Sequence, residues 1–329
     1  YFWALHNFKP NDHQKAAILH DSGPLYLPAG PGSGKTRVLL WRTFNLIVYK
    51  GVSPDEIFLS TFTKKAARQL QEGLQTLLAS ASGEFGESYD IGRMYIGTIH
   101  SLCQMLLQDR RINVSRERHR TPAILDELTQ FFYLYQGKGF RDLLQKRFDV
   151  QHEIPGAALF EKINKIFNKT SRSKYQAVSN LISFFNRISE EAPDLAQWRT
   201  QIQSNEDFLF LLELYEEYKN SLSEKPPRTD LSLLQHDTLE YLVHSDNAQN
   251  VFRHVVIDEY QDTNTVQEKI VFEWAKGYKN LCVVGDDDQA LYRFGGATVE
   301  NFVRFTDRVR SYLDTAVTEI PLSVNYHSQ

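Results

Sequence analysis

Cysteine is scarce in this chain of 329 residues, which has only Cys103 and Cys282. Two cysteines cannot form a disulfide framework or a zinc site with four cysteine ligands, so disulfide-rich folds and folds held together by such a zinc site are excluded. Reducing, cytoplasmic conditions are therefore the expected setting. The sequence also lacks a signal peptide and any apolar run near the roughly 18–20 residues that a membrane-spanning helix needs. We therefore expect no membrane partner.

A surplus of basic residues is lacking as well, because 37 Lys and Arg face 41 Asp and Glu, a net charge of −4. Any site for a polyanion must therefore be local rather than a property of the whole surface. One local surplus exists, since residues 110–174 have 14 Lys and Arg against 7 Asp and Glu. This basic, aromatic-rich stretch has two open interpretations, a solvated helical surface or a face that binds a nucleic-acid duplex.

The length is typical of two structural units, at roughly 100–200 residues per domain. Short apolar runs predict strands at Leu25–Leu27, Ile57–Thr61, Tyr95–Thr98, His254–Ile257, Leu281–Val284 and Ala316–Ile320. Helical patterns follow the first three, at Lys35–Tyr49, Lys64–Leu78 and Ile99–Gln108. This alternation predicts an α/β fold with a parallel sheet. We assign it to residues 1–108 and 229–329, interrupted by an all-helical insert at 109–228 that shows no strand signal.

The strongest motif is a glycine-rich loop between a strand and a helix, with the sequence Ala29, Gly30, Pro31, Gly32, Ser33, Gly34, Lys35 and Thr36. Glycines let backbone N–H groups converge on phosphate oxygens, and the helix N-terminus adds its dipole. Lys35 is expected to reach the β- and γ-phosphates of ATP, and Thr36 to bind Mg²⁺. The usual pattern begins with glycine, whereas this loop begins with Ala29.

Two acidic motifs end later strands. Asp258 and Glu259 follow the run 255–257, and at the carboxyl edge of a nucleotide-binding sheet such side chains face the ligand. Asp258 is expected to hold Mg²⁺, and Glu259 to orient and deprotonate the attacking water. Asp286 to Asp288 follow the run 281–284 and lead to Gln289, whose neutral amide can sense the γ-phosphate.

These three motifs together resemble the UvrD/Rep/PcrA-type superfamily 1 helicases, and further motifs follow in the order of that family. The segment 8–14 resembles the Q motif, 61–67 motif Ia, 97–101 motif Ib, 258–264 motif II, 285–297 motif III and 322–328 motif IV. The resemblance covers the chain outside 109–228, where only position and helical character match the family's subdomain 1B. It implies a RecA-like P-loop NTPase domain, called 1A in the family, that binds ATP and Mg²⁺.

Further site residues are carried over from the resemblance. Gln14 would read the adenine, Arg37 would pack near it and Tyr326 would stack on it. Single-stranded DNA would meet Thr61, Phe62, Thr63, Lys64, His100, Tyr292 and Phe294. Taken alone, Phe62 would instead be a core residue, Lys64 a solvated helix start and Arg37 a surface residue.

The chain departs from the family pattern at two motif positions. His327 stands where the family usually has an arginine directed at the γ-phosphate, and Gly295 replaces an arginine of motif III. An arginine finger can be worth about 10³–10⁵ in rate, whereas histidine is mostly neutral at pH 7. Arg293, two positions earlier, is a candidate substitute for the missing motif III arginine.

The resemblance implies the motor domain of an ATP-dependent 3′→5′ DNA helicase that acts on single strands and on single/double-strand junctions in repair or recombination. The chain starts without Met, ends inside motif IV and lacks the family's second RecA-like domain, so we expect a fragment that does not unwind DNA alone. Three alternatives stay open: the motor of a RecB/AddA-type helicase–nuclease, a UvrD-like ATPase that senses nucleic acid without unwinding it, and a non-enzymatic DNA-binding module gated by nucleotide. The intact set of Lys35, Asp258 and Glu259 disfavours the third.

Overall fold

The computed structural model describes residues 2–106, 122–136, 156–202, 204–224, 226–245, 248–286 and 304–325. The chain divides into two compact units, which we call unit 1 (residues 1–114 with 238–329) and unit 2 (residues 115–237). The assignment of residues 109–228 to an inserted 1B-like subdomain, with those boundaries, stays a prediction. Among the described residues, no helix is both long and apolar enough to cross a membrane.

Unit 1 is built on a six-stranded parallel sheet. Its strands are β1 (Leu25–Pro28), β2 (Ile57–Ser60), β3 (Tyr95–Gly97), β6 (His254–Ile257), β7 (Leu281–Gly285) and β8 (Thr318–Glu319). They lie in the order β3-β2-β6-β7-β1-β8, and every neighbouring pair is parallel. Strands β6 and β7 are fully buried, and all their residues except His254 are apolar or glycine, as parallel sheets covered on both faces require. The predicted α/β fold is confirmed. Strands β6 and β7, from the later part of the chain, lie between β2 and β1.

Helices flank this sheet in unit 1. They are α1 (Phe2–Leu5), α2 (Asp12–Leu19), α3 (Lys35–Val48), α4 (Lys64–Phe85), α5 (Ile99–Leu106), α12 (Thr265–Ala275) and α13 (Phe305–Leu313). Helix α4 runs seven residues past its predicted end at Leu78, because its buried stripe continues through Ala81. It ends at Gly86, whose left-handed backbone, with φ of 70°, suits a helix C-terminus.

Unit 2 consists mainly of helices. They are α6 (Glu127–Gln136), α7 (Gly156–Ile166), α8 (Lys174–Glu191), α9 (Leu195–Gln201) and α10 (Glu206–Ser223), followed by α11 (Leu231–Val243), which continues into unit 1. The expectation that no strand lies within residues 109–228 is wrong, because β4 (Ala123–Leu125) pairs in parallel with β5 (Arg228–Asp230). Three-residue strands are too short to leave a periodic signal in the sequence.

A buried polar cluster joins the elements of unit 2. The Tyr218 hydroxyl donates to Asp230 Oδ2 at 2.7 Å, and the Gln130 amide donates to the same oxygen at 3.3 Å. The other Asp230 oxygen accepts the backbone N–H of Leu233 at 2.7 Å, which caps the first turn of α11. Burial raises the pKa of Asp230, and these donors offset part of that cost. The cluster therefore fixes the ends of β5 and α11 relative to α6 and α10.

Candidate functional site

The glycine-rich loop leaves β1 at Pro28 and enters α3 at Lys35. Its first residue is tied to the neighbouring strand, since the Ala29 N–H donates to the Gly285 carbonyl at 2.8 Å. Gly32 and Gly34 have φ of 75° and 80°, a backbone conformation that costs glycine little. The Ser33 hydroxyl donates to the Gly30 carbonyl at 2.8 Å and closes the loop on itself. The loop is thus a preformed cradle at the N-terminus of a long helix, as anion binding requires.

Gln14 contacts this loop directly. Its Nε2 donates to the Ser33 carbonyl at 3.2 Å, while its Oε1 accepts the Asn11 N–H at 3.1 Å in a capping box of α2. A Cβ atom at Gly34 would lie 3.2 Å from the Gln14 amide nitrogen, so the close approach also favours glycine there. Gln14 is buried and supports the loop from behind. Its predicted contact with adenine stays a prediction.

A cavity of about 560 Å³ opens beside the loop. It is lined by Phe8, Lys9, Gln14 and the stretch Gly32–Arg37. The Arg37 guanidinium carbon lies 4.6 Å from the centre of the Phe8 ring, a cation–π contact that fixes one wall. This volume lies within the range of about 300–1,000 Å³ that small-molecule sites have.

The two predicted catalytic carboxylates follow β6 at the same edge of the sheet. Asp258 is buried, and its N–H donates to the Ser60 carbonyl of β2 at 2.8 Å. Glu259 adopts a left-handed backbone with φ of 52°, which is uncommon for a residue with a side chain. Lys35 Nζ lies 3.3 Å from Glu259 Oε2. The fold thus joins the lysine of the loop to the carboxylate pair across 224 residues of sequence.

Burial raises the pKa of Asp258 to about 6, the Glu259 charge adds to the shift, and Lys35 and the Glu259 N–H oppose it. A cation beside Asp258 would favour its ionised form. Among the described residues, no three His, Cys, Asp or Glu side chains group closely enough to hold a metal alone. The oxygens of Thr36 and Asp258 fit Mg²⁺, because this ion usually takes one or two protein oxygens and completes its shell with phosphates and water. Thr36 and Asp258 are the predicted protein ligands.

Gln261 is a site residue that sequence reasoning missed. Its Nε2 donates to Glu259 Oε2 at 2.6 Å, and its Oε1 accepts the Asp286 N–H at 3.1 Å. The side chain is buried in the 3₁₀ turn Tyr260–Asp262. The available signal was an amide two residues after a predicted general base, which by itself does not reveal that both ends are bonded.

The predicted DNA residues of motifs Ia and Ib lie at the ends of β2 and β3. Thr61 is buried and its hydroxyl donates to the Thr63 carbonyl at 2.9 Å, so it shapes the loop. Phe62 is 56% exposed, and Lys64 is an exposed residue at the start of α4. The Thr63 hydroxyl caps that helix by accepting the Ala66 N–H at 3.1 Å. Phe62 and Lys64 are therefore the members of this loop best placed to meet a ligand.

His100 is the fifth predicted DNA residue that the structure describes. It lies in the first turn of α5, and burial lowers its pKa, so its ring is neutral at pH 7. It can offer a hydrogen bond but no positive charge. His100, Thr61 and Phe62 line a small cavity of about 50 Å³ together with Asp258 and Glu259. The two predicted sites therefore share a boundary in unit 1.

Several predicted residues lie outside the described part of the chain. They are Gln289, Tyr292, Phe294 and Tyr326, together with the motif departures Gly295 and His327 and the candidate substitute Arg293. Their predicted roles stay predictions.

Comparison with known proteins agrees with this site. The family model of the UvrD/REP helicase N-terminal domain matches residues 10–310. The ATP-dependent DNA helicase PcrA of Bacillus subtilis (strain 168) is 30% identical over 321 residues, which cover 97% of this chain and 37% of the relative. PcrA of Staphylococcus aureus (strain Mu50) is 29% identical over 304 residues, 90% of this chain and 35% of the relative.

The chain thus spans about a third of the length of these relatives. The matched region includes every described member of the candidate site except Phe8 and Lys9. By its match over residues 10–310, and in agreement with the motifs in its sequence, the chain belongs to the UvrD/REP helicase family and carries that family's N-terminal domain.

Proposed function

We propose that this chain is the ATP-hydrolysing motor domain of a DNA helicase. The observation that carries the proposal is the 3.3 Å contact between Lys35 Nζ and Glu259 Oε2, which unites the phosphate loop with the carboxylate pair. The named relatives are ATP-dependent DNA helicases, which supports ATP as the nucleotide and DNA as the polymer.

The proposed reaction is hydrolysis of the β–γ bond of ATP. The N–H groups of the loop and the Lys35 ammonium would bind phosphate oxygens and offset the charge that develops there. Glu259 would accept a proton from the attacking water, and the left-handed backbone at this residue directs its side chain toward Lys35. Mg²⁺, when held by Thr36 and Asp258, would supply further charge neutralisation at the phosphates. The cavity beside Phe8 and Arg37 would receive the base and ribose.

The proposed DNA face begins at Phe62 and Lys64. An exposed aromatic ring beside a basic residue is the combination that binds single strands, by stacking on a base and by neutralising phosphate. We also propose, from the family alone, 3′→5′ polarity, a preference for single/double-strand junctions and a role in repair or recombination. These finer properties belong to the whole helicase.

Glu259→Gln tests the proposed chemistry. The amide keeps the size of the side chain but cannot accept the proton, so ATP hydrolysis is expected to fall by about 10²–10⁴-fold. ATP affinity, measured with a fluorescent ATP analogue, is expected to stay within about threefold of the wild type. Glu319→Gln, an exposed change on β8, is the matched control and leaves both quantities unchanged. Undiminished hydrolysis by Glu259→Gln would remove Glu259 from its role.

A further outcome separates the alternatives within the family. ATP hydrolysis that single-stranded DNA stimulates, without strand separation by the whole protein, would favour the nucleic-acid-sensing ATPase. The departures at Gly295 and His327 are the sequence features that motivate this comparison.

A further inference from the structure

Gln261 is bonded at both ends of its amide, and each bond reaches a different motif of the candidate site. The amide nitrogen donates to Glu259 Oε2 at 2.6 Å, and the amide oxygen accepts the N–H of Asp286, the residue after β7, at 3.1 Å. The side chain is 3% exposed and Asp286 is fully buried. Gln261 therefore links the proposed general base to the end of a neighbouring strand through one rigid group.

The Glu259 carboxylate needs such a partner. Its side chain is 34% exposed and has several rotatable bonds, so it has rotamer freedom to lose. A general base acts only when it is within hydrogen-bond reach of the proton that it takes. Lys35 Nζ also donates to Oε2, at the longer distance of 3.3 Å. In the proposed function Lys35 also binds phosphates, whereas the neutral amide of Gln261 has no such second task.

The frame around Gln261 is fixed on several sides. Strand β7 pairs with β6, which leads to Asp258, and with β1, which leads to the phosphate loop. The Gly285 carbonyl, next to Asp286, accepts the Ala29 N–H at the start of that loop. These bonds hold the end of β7 in place, so the orientation of the Gln261 amide is set by the sheet.

The residue before Gln261 is anchored to helices α12 and α13. The Tyr260 hydroxyl donates to Glu268 Oε1 at 2.7 Å, and Arg308 of α13 forms an ion pair with the other oxygen of Glu268. Glu268 is fully buried, and the Tyr260 ring packs edge-on against Phe305 at 5.1 Å. The 3₁₀ turn is thus fixed to α12 and α13 while Gln261 points to the site.

We infer that Gln261 is a positioning residue for the proposed ATP hydrolysis: its amide holds the Glu259 carboxylate at a fixed position relative to the end of β7. This inference rests on the proposed function. It assigns Gln261 to the reaction step and not to nucleotide binding, because the described contacts of its side chain are with Glu259 and Asp286 rather than with the phosphate loop.

Gln261→Glu separates the two ends of the amide. Its carboxylate can still accept the Asp286 N–H, but in ionised form it cannot donate to Glu259 and it repels that carboxylate. Gln261→Met keeps the length of the side chain and removes both bonds. For both variants we expect kcat for ATP hydrolysis to fall at least about tenfold, with KM for ATP within about twofold of the wild type.

The matched control is Asn280→Leu, which removes an amide at the opposite end of β7. The Asn280 amide accepts the Gly23 N–H at 2.8 Å and donates to the Arg253 carbonyl at 3.0 Å, so it bridges two segments as Gln261 does. Asn280→Leu is expected to lower the thermal unfolding temperature and to leave kcat within about twofold. If Gln261 only supported the fold, Gln261→Met would behave like Asn280→Leu, with a lower thermal unfolding temperature and a kcat within about twofold of the wild type.

A binding measurement that does not depend on turnover completes the test. ADP–aluminium fluoride imitates the transferring phosphoryl group, so Gln261→Glu is expected to weaken its affinity about tenfold while ADP affinity stays unchanged. Wild-type kcat in both Gln261 variants, or equal losses of ADP affinity and of stability in Gln261→Met and Asn280→Leu, would overturn the inference. Absence of ATP hydrolysis by the wild-type chain would overturn the proposed function itself, and the positioning role with it.

Discussion

At the scale of single residues, the candidate site depends on a few side chains that are placed by backbone geometry rather than by their neighbours in sequence. Glu259 meets Lys35 because the residue adopts a left-handed backbone directly after a buried strand. Gly32 and Gly34 allow the loop to close over the start of α3. Phe62 stays exposed because the preceding Thr61 is turned inward and bonded to the Thr63 carbonyl.

Phe62 is expected to carry part of the affinity for single-stranded DNA. Removal of a ring that stacks on a base costs about 1–3 kcal/mol, so Phe62→Ala is expected to weaken binding of an oligothymidine by roughly 5- to 150-fold. The matched control is Phe85→Ala, an exposed phenylalanine at the C-terminal end of α4, the helix that follows Phe62. Fluorescence anisotropy measures both affinities. Equal affinities for Phe62→Ala and the wild type would exclude Phe62 from the DNA face.

His254 is expected to make unit 1 sensitive to acid. Burial and the charges of Arg42 and Arg253 lower the pKa of His254 from its ordinary value of 6.5 to about 4. The unfolded state therefore binds more protons than the folded state between these values, and the free energy of unfolding falls as pH decreases through that window. The loss amounts to about 3 kcal/mol when fully developed.

Urea unfolding at pH 7 and at pH 4.5 measures this effect. His254→Gln removes the titrating group, so its unfolding free energy is expected to decrease less between the two pH values than that of the wild type. Burial also lowers the pKa of His20 and of His100. Both residues are present in the two proteins, so their contributions to the pH dependence cancel in the comparison. Identical pH dependence in the two proteins would show that His254 is not responsible.

At the scale of elements, the phosphate loop is supported by a contact between α2 and α3. Arg42 of α3 is buried, and its Nη1 donates to the carbonyls of Ala17 and His20 at 2.8 and 2.7 Å. These carbonyls belong to the last turn of α2 and to its C-cap, where a cation is favourable. Because α2 also presents Gln14 to the loop, Arg42 couples the loop's support to the helix that follows it.

Arg42→Met is expected to lower the free energy of unfolding by about 2–4 kcal/mol, because the buried Ala17 carbonyl and the half-buried His20 carbonyl lose their partner. Arg68→Met is the matched control, since Arg68 is exposed and forms an i,i+4 pair with Glu72 on the surface of α4. Such pairs contribute about 0.5 kcal/mol or less. Chemical denaturation measures both changes, and equal losses in the two variants would contradict a supporting role for Arg42.

The same elements show what the sequence can predict. The strand and helix around the phosphate loop are local features, so their residues and their role follow from glycine spacing and apolar runs alone. The positions of β6 and β7 between β1 and β2 depend on pairing across about two hundred residues or more, from Ile57 to His254 and from Leu25 to Cys282, which periodicity does not encode. Lys35 and Glu259 can each be predicted from their own local motifs. The bond between Gln261 and the N–H of Asp286 cannot, because it depends on the pairing of β6 with β7.

At the scale of the whole molecule, unit 1 gathers the described nucleotide residues and the described DNA residues along one edge of its sheet. Their shared boundary is the small cavity that contains both Phe62 and Glu259 among its walls. Unit 2 has its own apolar core and its own buried polar cluster around Asp230.

The negative net charge of the chain does not argue against a nucleic-acid partner, because it averages the acidic site with the basic stretch 110–174.

The most direct test of the central proposal is the rate of phosphate release from ATP and Mg²⁺, measured with and without an oligothymidine, for the wild type and for Lys35→Ala. We expect hydrolysis by the wild type that increases with the oligothymidine, and loss of both in Lys35→Ala, because the lysine that offsets phosphate charge is gone. Phosphate release by the wild type no faster than by Lys35→Ala, at any oligothymidine concentration, would contradict the proposed motor function.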